Sequence, residues 1–164
     1  MAARTSAAMA SPERAFVITR LLDAPRELVF QAWTRPEHLM RWWGPADFTV
    51  TTCEVDFRAG GSYRFCIRSP DGKDFWLRGA YCRIAAPERL DFTCEVDDEN
   101  GNLYAEEFIT VTLAEHAGQT KLTLHIRIAW PAAEAAMLDR MKASWNRSLD
   151  RLATHAARGR NAAK

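Results

Sequence analysis

Few side chains in this sequence have a spacing that performs chemistry. The four histidines, His38, His116, His125 and His155, match no metal-binding or metalloprotease spacing. No Gly-x-Ser-x-Gly nucleophile motif and no phosphate-binding loop occurs in the sequence. Gly60-Gly61 lies between two strand-like runs and opens no helix, which favours a hairpin turn over a phosphate site. The sequence therefore predicts no catalytic residue, no metal site and no cofactor.

Glu106 and Glu107 are the nearest approach to a catalytic carboxylate pair. Paired carboxylates perform acid–base chemistry when both reach the same substrate. The two residues are adjacent in a run that reads as a strand, where neighbouring side chains point to opposite faces. The pair is therefore not expected to act together.

Arg78 is the candidate polar anchor of a binding site. In the run FWLRGAYCRI it shares strand parity with Trp76 and Cys82. If that face is interior, the guanidinium must find an anion, either an internal carboxylate or a carboxylate on a ligand. The alternative is that Phe75 and Tyr81 face the interior and Arg78 is solvated.

Methionine and aromatic residues are the strongest indication of a binding surface. Met137, Met141 and Trp145 follow one another at steps of four, which aligns them on one helix face. They either pack in the core or line a pocket, whose shape methionine keeps adjustable. Tyr63 and Phe65 share a strand face that could lie opposite this helix.

The segment PEHLMRWWGPADF places two adjacent tryptophans before a Gly-Pro break. Neighbouring helical residues point about 100° apart, so one core does not easily enclose both. If Trp33 and one of the pair pack under the helices, the other could project at a cavity mouth; alternatively, both close one end of the fold. The predicted ligand-binding residues are Trp33, Trp42, Tyr63, Phe65, Trp76, Arg78, Met137, Met141 and Trp145.

Two short helices are predicted after a first strand at 16–22. Asp23 is a suitable cap for a helix in DAPRELVFQAWT. Thr34 and Glu37 fit a capping box, so a second helix should begin at once. Gly44-Pro45 should end it.

From residue 48 the apolar pattern changes to a period of two, interrupted by turn residues. Such short connections favour an antiparallel meander. A long amphipathic helix is then expected from about 131 to 157. The six predicted strands are 48–57, 61–68, 74–85, 89–96, 104–115 and 119–129.

Together these elements predict an α+β fold in which the long helix covers an antiparallel sheet of six to seven strands. One domain should span 16–157, between disordered tails at 1–15 and 158–164.

Composition excludes several classes of protein. The 164 residues carry a net charge of +1, so no nucleic-acid partner is expected. No apolar run approaches the roughly 20 residues of a membrane span, so no integral membrane segment is expected either. With no export signal predicted, Cys53, Cys66, Cys82 and Cys94 should be reduced thiols in a cytoplasmic protein.

The order of elements and several motifs resemble the helix-grip (START-like, birch-pollen-allergen-like) superfamily. Within it, the sequence is similar to the branch named after the C-terminal domain of the activator of the heat-shock-protein-90 ATPase. The resemblance covers about 16–156 and is carried by APRELVFQAWTRPEHLMRWWGP, DFRAGGSYRF, PERLDFT, ITVTL, TKLTL and SWNRSLDRL.

The resemblance implies a curved sheet that grips the C-terminal helix, with an apolar cavity between them. A small hydrophobic or amphipathic molecule is then the expected partner. Alternatives are an enzyme of the cyclase or aromatase type acting on polyketide-like or aromatic substrates, or a protein-interaction module such as a chaperone co-factor. The chaperone activator has a further N-terminal domain that about 15 residues cannot supply, so chaperone activation is not expected.

Overall fold

The computed structural model describes residues 14–44, 47–130 and 135–162. Most of the predicted 1–15 tail, and residues 163–164 of the predicted C-terminal tail, lie outside the described residues. The elements in chain order are β1 (Ala15–Leu22), α1 (Arg26–Thr34), α2 (Pro36–Trp42), β2 (Thr49–Val55), β3 (Ser62–Arg68), β4 (Asp74–Ala85), β5 (Arg89–Asp97), β6 (Leu103–His116), β7 (Gln119–Trp130) and α3 (Ala135–Ala162).

The seven strands form one antiparallel sheet in the order β1-β7-β6-β5-β4-β3-β2. Six consecutive strands make a meander, and β1 joins its free edge through pairs such as Ile18 with Leu124. Register shifts occur between Val50 and Thr52 at the β2 edge and between Tyr81 and Arg83 in the β4–β5 pair. Because an extra residue bends a strand and increases its twist, the sheet curves toward α3. The predicted α+β helix-grip architecture is confirmed.

Helix α3 lies across the inner face of the sheet and is buried unevenly along its length. Its buried residues, Ser148, Leu149, Leu152 and Ala156, all lie from the middle of the helix onward. In the first half, Met141 and Trp145 are only partly buried against the core. The second half therefore packs closely on the sheet, and the first half leaves space beneath it.

Three arginines hold α3 to the rest of the domain. Arg20 of β1 donates to the Asp150 carboxylate at 2.8 Å. Arg151 donates to the backbone carbonyls of Gly44 at 3.1 Å and Phe48 at 3.4 Å. Arg160 donates to Asp23 at 2.9 Å and so anchors the last turns of the helix. Helix α3 ends at Ala162, five residues beyond the expected end, and includes part of the segment predicted as a tail.

The short helices do not begin as the sequence predicted. No side-chain hydrogen bond caps α1 or α2. Asp23 instead pairs with Arg160. The Thr34 hydroxyl donates back to the Phe30 carbonyl at 3.0 Å, which removes it from the capping box with Glu37. The serial helices themselves are confirmed, and Gly44, with a φ of 94°, ends the second as glycine readily does.

The three neighbouring tryptophans form one buried cluster between the short helices and the sheet. Trp33 lies 4.7 Å from Trp42 and 6.0 Å from Trp43, measured between ring centroids. The Trp42 indole N–H donates to the Ala32 carbonyl at 2.8 Å. All three rings are at most 5% exposed. Trp33 and Trp42 pack under the short helices, whereas Trp43 also lines the cavity described below.

Candidate functional site

A cavity of about 760 Å³ lies between the inner face of β3 to β6 and the first half of α3. This volume falls within the range of small-molecule sites, roughly 300–1,000 Å³. The cavity is lined by Trp43, Gly44, Phe48, Ile67, Ser69, Asp71, Lys73, Phe75, Leu77, Cys94, Val96, Asp97, Asp98, Glu99, Tyr104, Ala105, Glu107, Arg140, Met141, Ser144, Trp145 and Ser148.

Aromatic rings and aliphatic side chains make most of the cavity wall. Trp43 and Trp145 meet edge to face with ring centroids 5.3 Å apart. Phe48 and Phe75 approach to 6.1 Å on another part of the wall. Met141 projects from α3 into the same space. Such a wall can accommodate apolar groups of different shapes.

Glu107 and Asp97 are the buried acidic side chains of the cavity, and of the two only Glu107 has no ion pair among the described residues. Alternation along β6 places it in the interior set with Ala105, Ile109 and Val111. It is only 3% exposed, and among the described residues its carboxyl group forms no hydrogen bond or ion pair. Burial without a partner raises the pKa of Glu107 from 4.5 to about 8, because a charged carboxylate is poorly solvated there.

Two further ionisable groups next to Glu107 remain neutral. The Tyr63 hydroxyl donates to the Thr93 carbonyl at 2.5 Å. Burial raises the pKa of Tyr63 and of the Cys94 thiol well above their ordinary values. Of these three groups, only Glu107 therefore changes its charge near neutral pH.

Charged groups gather where the β3–β4 and β5–β6 turns line the cavity. Lys73 pairs with Glu99 at 2.8 Å and with Asp71 at 3.7 Å. Asp97 accepts a bond of 2.7 Å from Arg78, and its other carboxylate oxygen is buried without a partner among the described residues. The lining holds five carboxyl groups, Glu107 among them, and the basic groups of Lys73 and Arg140. With Glu107 protonated and Asp97 paired with Arg78, the excess of negative charge is about one.

Of the nine predicted site residues, the cavity brings Met141 and Trp145 together. Met137, on the same helix, is not among the lining residues. Tyr63 and Phe65 face the interior as predicted but pack within the aromatic core; Phe65 lies 5.3 Å from Trp43. Trp33 and Trp42 lie in the tryptophan cluster and do not reach the cavity surface.

The prediction that Arg78 and Trp76 face the interior was wrong. The Arg78 side chain is 45% exposed and pairs with Glu95 at 2.8 Å on the outer face. Trp76 lies under the Arg64 guanidinium, 3.9 Å from its ring centroid. The alternative parity is the correct one, because Tyr81 is buried and Phe75 lines the cavity. The expected buried cation is therefore absent from the cavity, and a buried carboxyl group is present instead.

Sequence reasoning missed Glu107 and most of the wall. The signal for Glu107 was in the sequence: it shares strand parity with Ala105, Ile109, Val111 and Leu113, all of them buried. The adjacent Glu106 faces the other way, so the two do not form a catalytic pair. A single buried carboxyl group needs no such partner to bind a ligand.

Neither a membrane span nor a metal cluster is found in the part of the chain that the structure describes. None of the described helices has the length and apolar composition to cross a bilayer. Within residues 14–44, 47–130 and 135–162, no three histidine, cysteine or acidic side chains are grouped as metal ligands.

Comparisons with known proteins agree with this architecture. Residues 23–157 match the family model described as Activator of Hsp90 ATPase homolog 1-like protein. A protein of Chromobacterium violaceum is 26% identical, with a TM-score of 0.75 over 88% of this chain and 98% of its own. The AHSA1 protein of Silicibacter pomeroyi is 23% identical, with a TM-score of 0.75 over 87% of this chain and 97% of its own.

A protein of Arthrobacter aurescens gives a TM-score of 0.77 at 23% identity, over 89% of this chain and 87% of its own. A comparison with curated protein sequences gave no significant match. Family and fold together support a binding module in general, for a ligand, a cofactor or a protein.

Proposed function

Because the chain belongs to the Activator of Hsp90 ATPase homolog 1-like family, we propose that it uses the cavity beneath α3 to bind a small hydrophobic or amphipathic molecule. The observation that supports this proposal is the cavity of about 760 Å³ with its aromatic and aliphatic wall. Transfer of apolar surface from water gains roughly 25 cal/mol per Å². A ligand burying about 300 Å² would gain roughly 7 kcal/mol before the costs of association are subtracted.

Filling the cavity should abolish binding of an apolar fluorescent probe. Met141 lines the cavity, so Met141→Trp should occupy the space that the probe needs. Met137 lies one turn earlier on α3 and outside the lining, which makes Met137→Trp a matched control. Probe fluorescence should rise on titration into wild type and Met137→Trp and stay flat with Met141→Trp.

Two results would contradict the proposal. One is a folded wild-type protein that binds no apolar probe. The other is a Met141→Trp variant that loses about 1–3 kcal/mol of stability, as an overpacked core does, while probe binding is unchanged. Circular dichroism and thermal unfolding of each variant separate a filled cavity from a damaged fold.

An enzyme of the same fold is a second candidate, and Glu107 is the observation that favours it. A carboxyl group with a pKa of about 8 is suited to proton transfer near neutral pH. Tyr63 and Cys94 remain neutral beside it, so such chemistry would depend on Glu107 alone. If a polyketide-like substrate is converted, Glu107→Gln should abolish turnover and leave substrate binding in place.

A protein-interaction module has less support than either. The exposed large apolar residues among those described come from the adjacent strands β1, β7 and β6 on one side of the sheet, from the β2–β3 connection on the other side, and from α2. Docking surfaces normally gather such residues into one patch.

We also propose a cytoplasmic location, since all four cysteines are free thiols in the structure and a reducing compartment preserves that state.

A further inference from the structure

The cavity contains a carboxyl group that nothing in the described protein neutralises. Glu107 lines the cavity, is 3% exposed and has neither a hydrogen bond nor an ion pair with any described residue. An unpartnered buried carboxyl group normally costs stability, and a hydrophobic residue at this place in β6 would avoid that cost. Its position indicates that the missing partner is part of the ligand.

We propose that the ligand is an apolar amine whose ammonium group pairs with the Glu107 carboxylate, with its hydrocarbon part against the aromatic wall. This inference rests on the proposed binding function and adds the chemical class of the ligand. A buried ammonium and a buried carboxylate each supply the counter-charge that the other lacks.

Two independent features of the same cavity favour a cation. The lining has more carboxyl groups than basic groups, and Asp97, Asp98 and Glu99 lie together at the end of β5. A cleft with an excess of one charge concentrates ligands of the opposite charge. The indole rings of Trp43 and Trp145 also line the cavity, and an indole face attracts a cation more strongly than other aromatic faces do.

Other ligand classes fit these features less well. A fatty acid or another anion bound at the same place would set its charge beside Glu107, and Arg78 is already paired with Glu95 and Asp97. A neutral alcohol or ketone could share one hydrogen bond with protonated Glu107. It would gain nothing from the excess of carboxyl groups.

Binding of an ammonium group should displace a proton from Glu107, since the free carboxyl group has a pKa of about 8. Between pH 6 and 8 the affinity for an amine should therefore rise by about tenfold per pH unit. The titratable or charged groups around the same space are Tyr63 of β3, Asp71 and Lys73 of the β3–β4 turn, Cys94 and Asp97 of β5, Asp98 and Glu99 beyond it, and Arg140 of α3.

Three ligands that share one ring system test the inference by calorimetry: 1-naphthylmethylamine, 1-naphthalenemethanol and 1-naphthoic acid. At pH 8 wild type should bind the amine at least about tenfold more tightly than the alcohol, and the acid most weakly. Titration in buffers of different ionisation enthalpy at pH 7 should detect about one proton released per bound amine.

Glu107→Gln keeps the shape of the side chain and removes its charge. It should bring amine and alcohol affinities to within about threefold of each other and abolish proton release. Glu106→Gln is the matched control, because its side chain lies on the opposite face of β6 and should leave the preference unchanged.

The results separate the two proposals. If wild type binds the alcohol as tightly as the amine, or if amine binding releases no proton, the amine inference is overturned and the cavity function stands. If Glu107→Gln retains the amine preference, the inference is equally overturned. If folded wild type binds none of the three ligands, the binding function itself fails.

Discussion

Glu107 should lower the stability of the ligand-free protein above mildly acidic pH. In the unfolded chain this carboxyl group ionises near its ordinary pKa of 4.5, whereas in the folded protein its pKa is about 8. Below 4.5 both states hold the proton and there is no cost. Between 4.5 and 8 only the unfolded state loses it, so the free energy of unfolding should fall as pH rises and then level off.

The Glu107→Gln variant measures this cost directly. Its stability should match that of wild type near pH 4 and exceed it by roughly 3 kcal/mol at pH 7, as measured by urea unfolding. Glu106→Gln should follow wild type over the same range. A Glu107→Gln variant that is less stable than wild type at pH 7 would mean that the carboxyl group has a stabilising partner.

At the scale of elements, a hydrogen bond between two histidine side chains links α2 to α3. His38 Nδ1 and His155 Nε2 lie 2.8 Å apart, which requires that at least one ring is neutral. Burial, His38 and the nearby Arg41 and Arg158 lower the pKa of His155. The unfolded chain therefore takes up a proton near pH 6.5 that the folded protein resists, so stability should fall as pH drops below about 6.5.

His155→Gln should remove part of this acid-side loss, because glutamine does not titrate. The measurement is the free energy of unfolding between pH 5 and 7.5, compared with wild type and with His116→Gln. His116 is exposed at the end of β6 and is the control. If the free energy of unfolding depends on pH in the same way in wild type and His155→Gln, the histidine pair is not the cause of the acid-side loss of stability.

Element boundaries were predictable where periodicity and turn residues agree. The prediction of 74–85 for β4 matches the structure, and 119–129 for β7 is one residue short. Which face of β4 is interior was not predictable, because Trp76 and Phe75 make both parities apolar and a register shift between Tyr81 and Arg83 interrupts the alternation. The helix starts failed for another reason: a hydroxyl such as that of Thr34 chooses between competing backbone partners.

At the scale of the whole molecule, the cavity depends on how far each end of α3 stands from the sheet. The sequence placed Met137, Met141 and Trp145 on the face toward the sheet, but their spacing alone does not say where that face makes contact. Close packing begins at Ser148, and Arg151 donates to the backbone carbonyls of Trp43, Gly44 and Phe48. These contacts are long-range, so single-sequence patterns predicted the helix and not the space beneath its first half.

The reduced state of the thiols is a property of the whole fold that one titration can test. Cys82 is exposed and Cys53 is half-buried, while Cys66 and Cys94 are buried. Burial raises the pKa of Cys53 to about 12, so little of its reactive thiolate forms near neutral pH. In native protein purified without reductant, one thiol should react quickly with an aromatic disulfide reagent at pH 8, and four should react after denaturation. Cys82→Ser should lose the fast phase and leave three thiols on denaturation. Fewer than four reactive thiols in denatured wild type would contradict the prediction of a reduced protein without disulfides. Metal analysis is a separate test: one equivalent of zinc would contradict the prediction that the protein binds no metal.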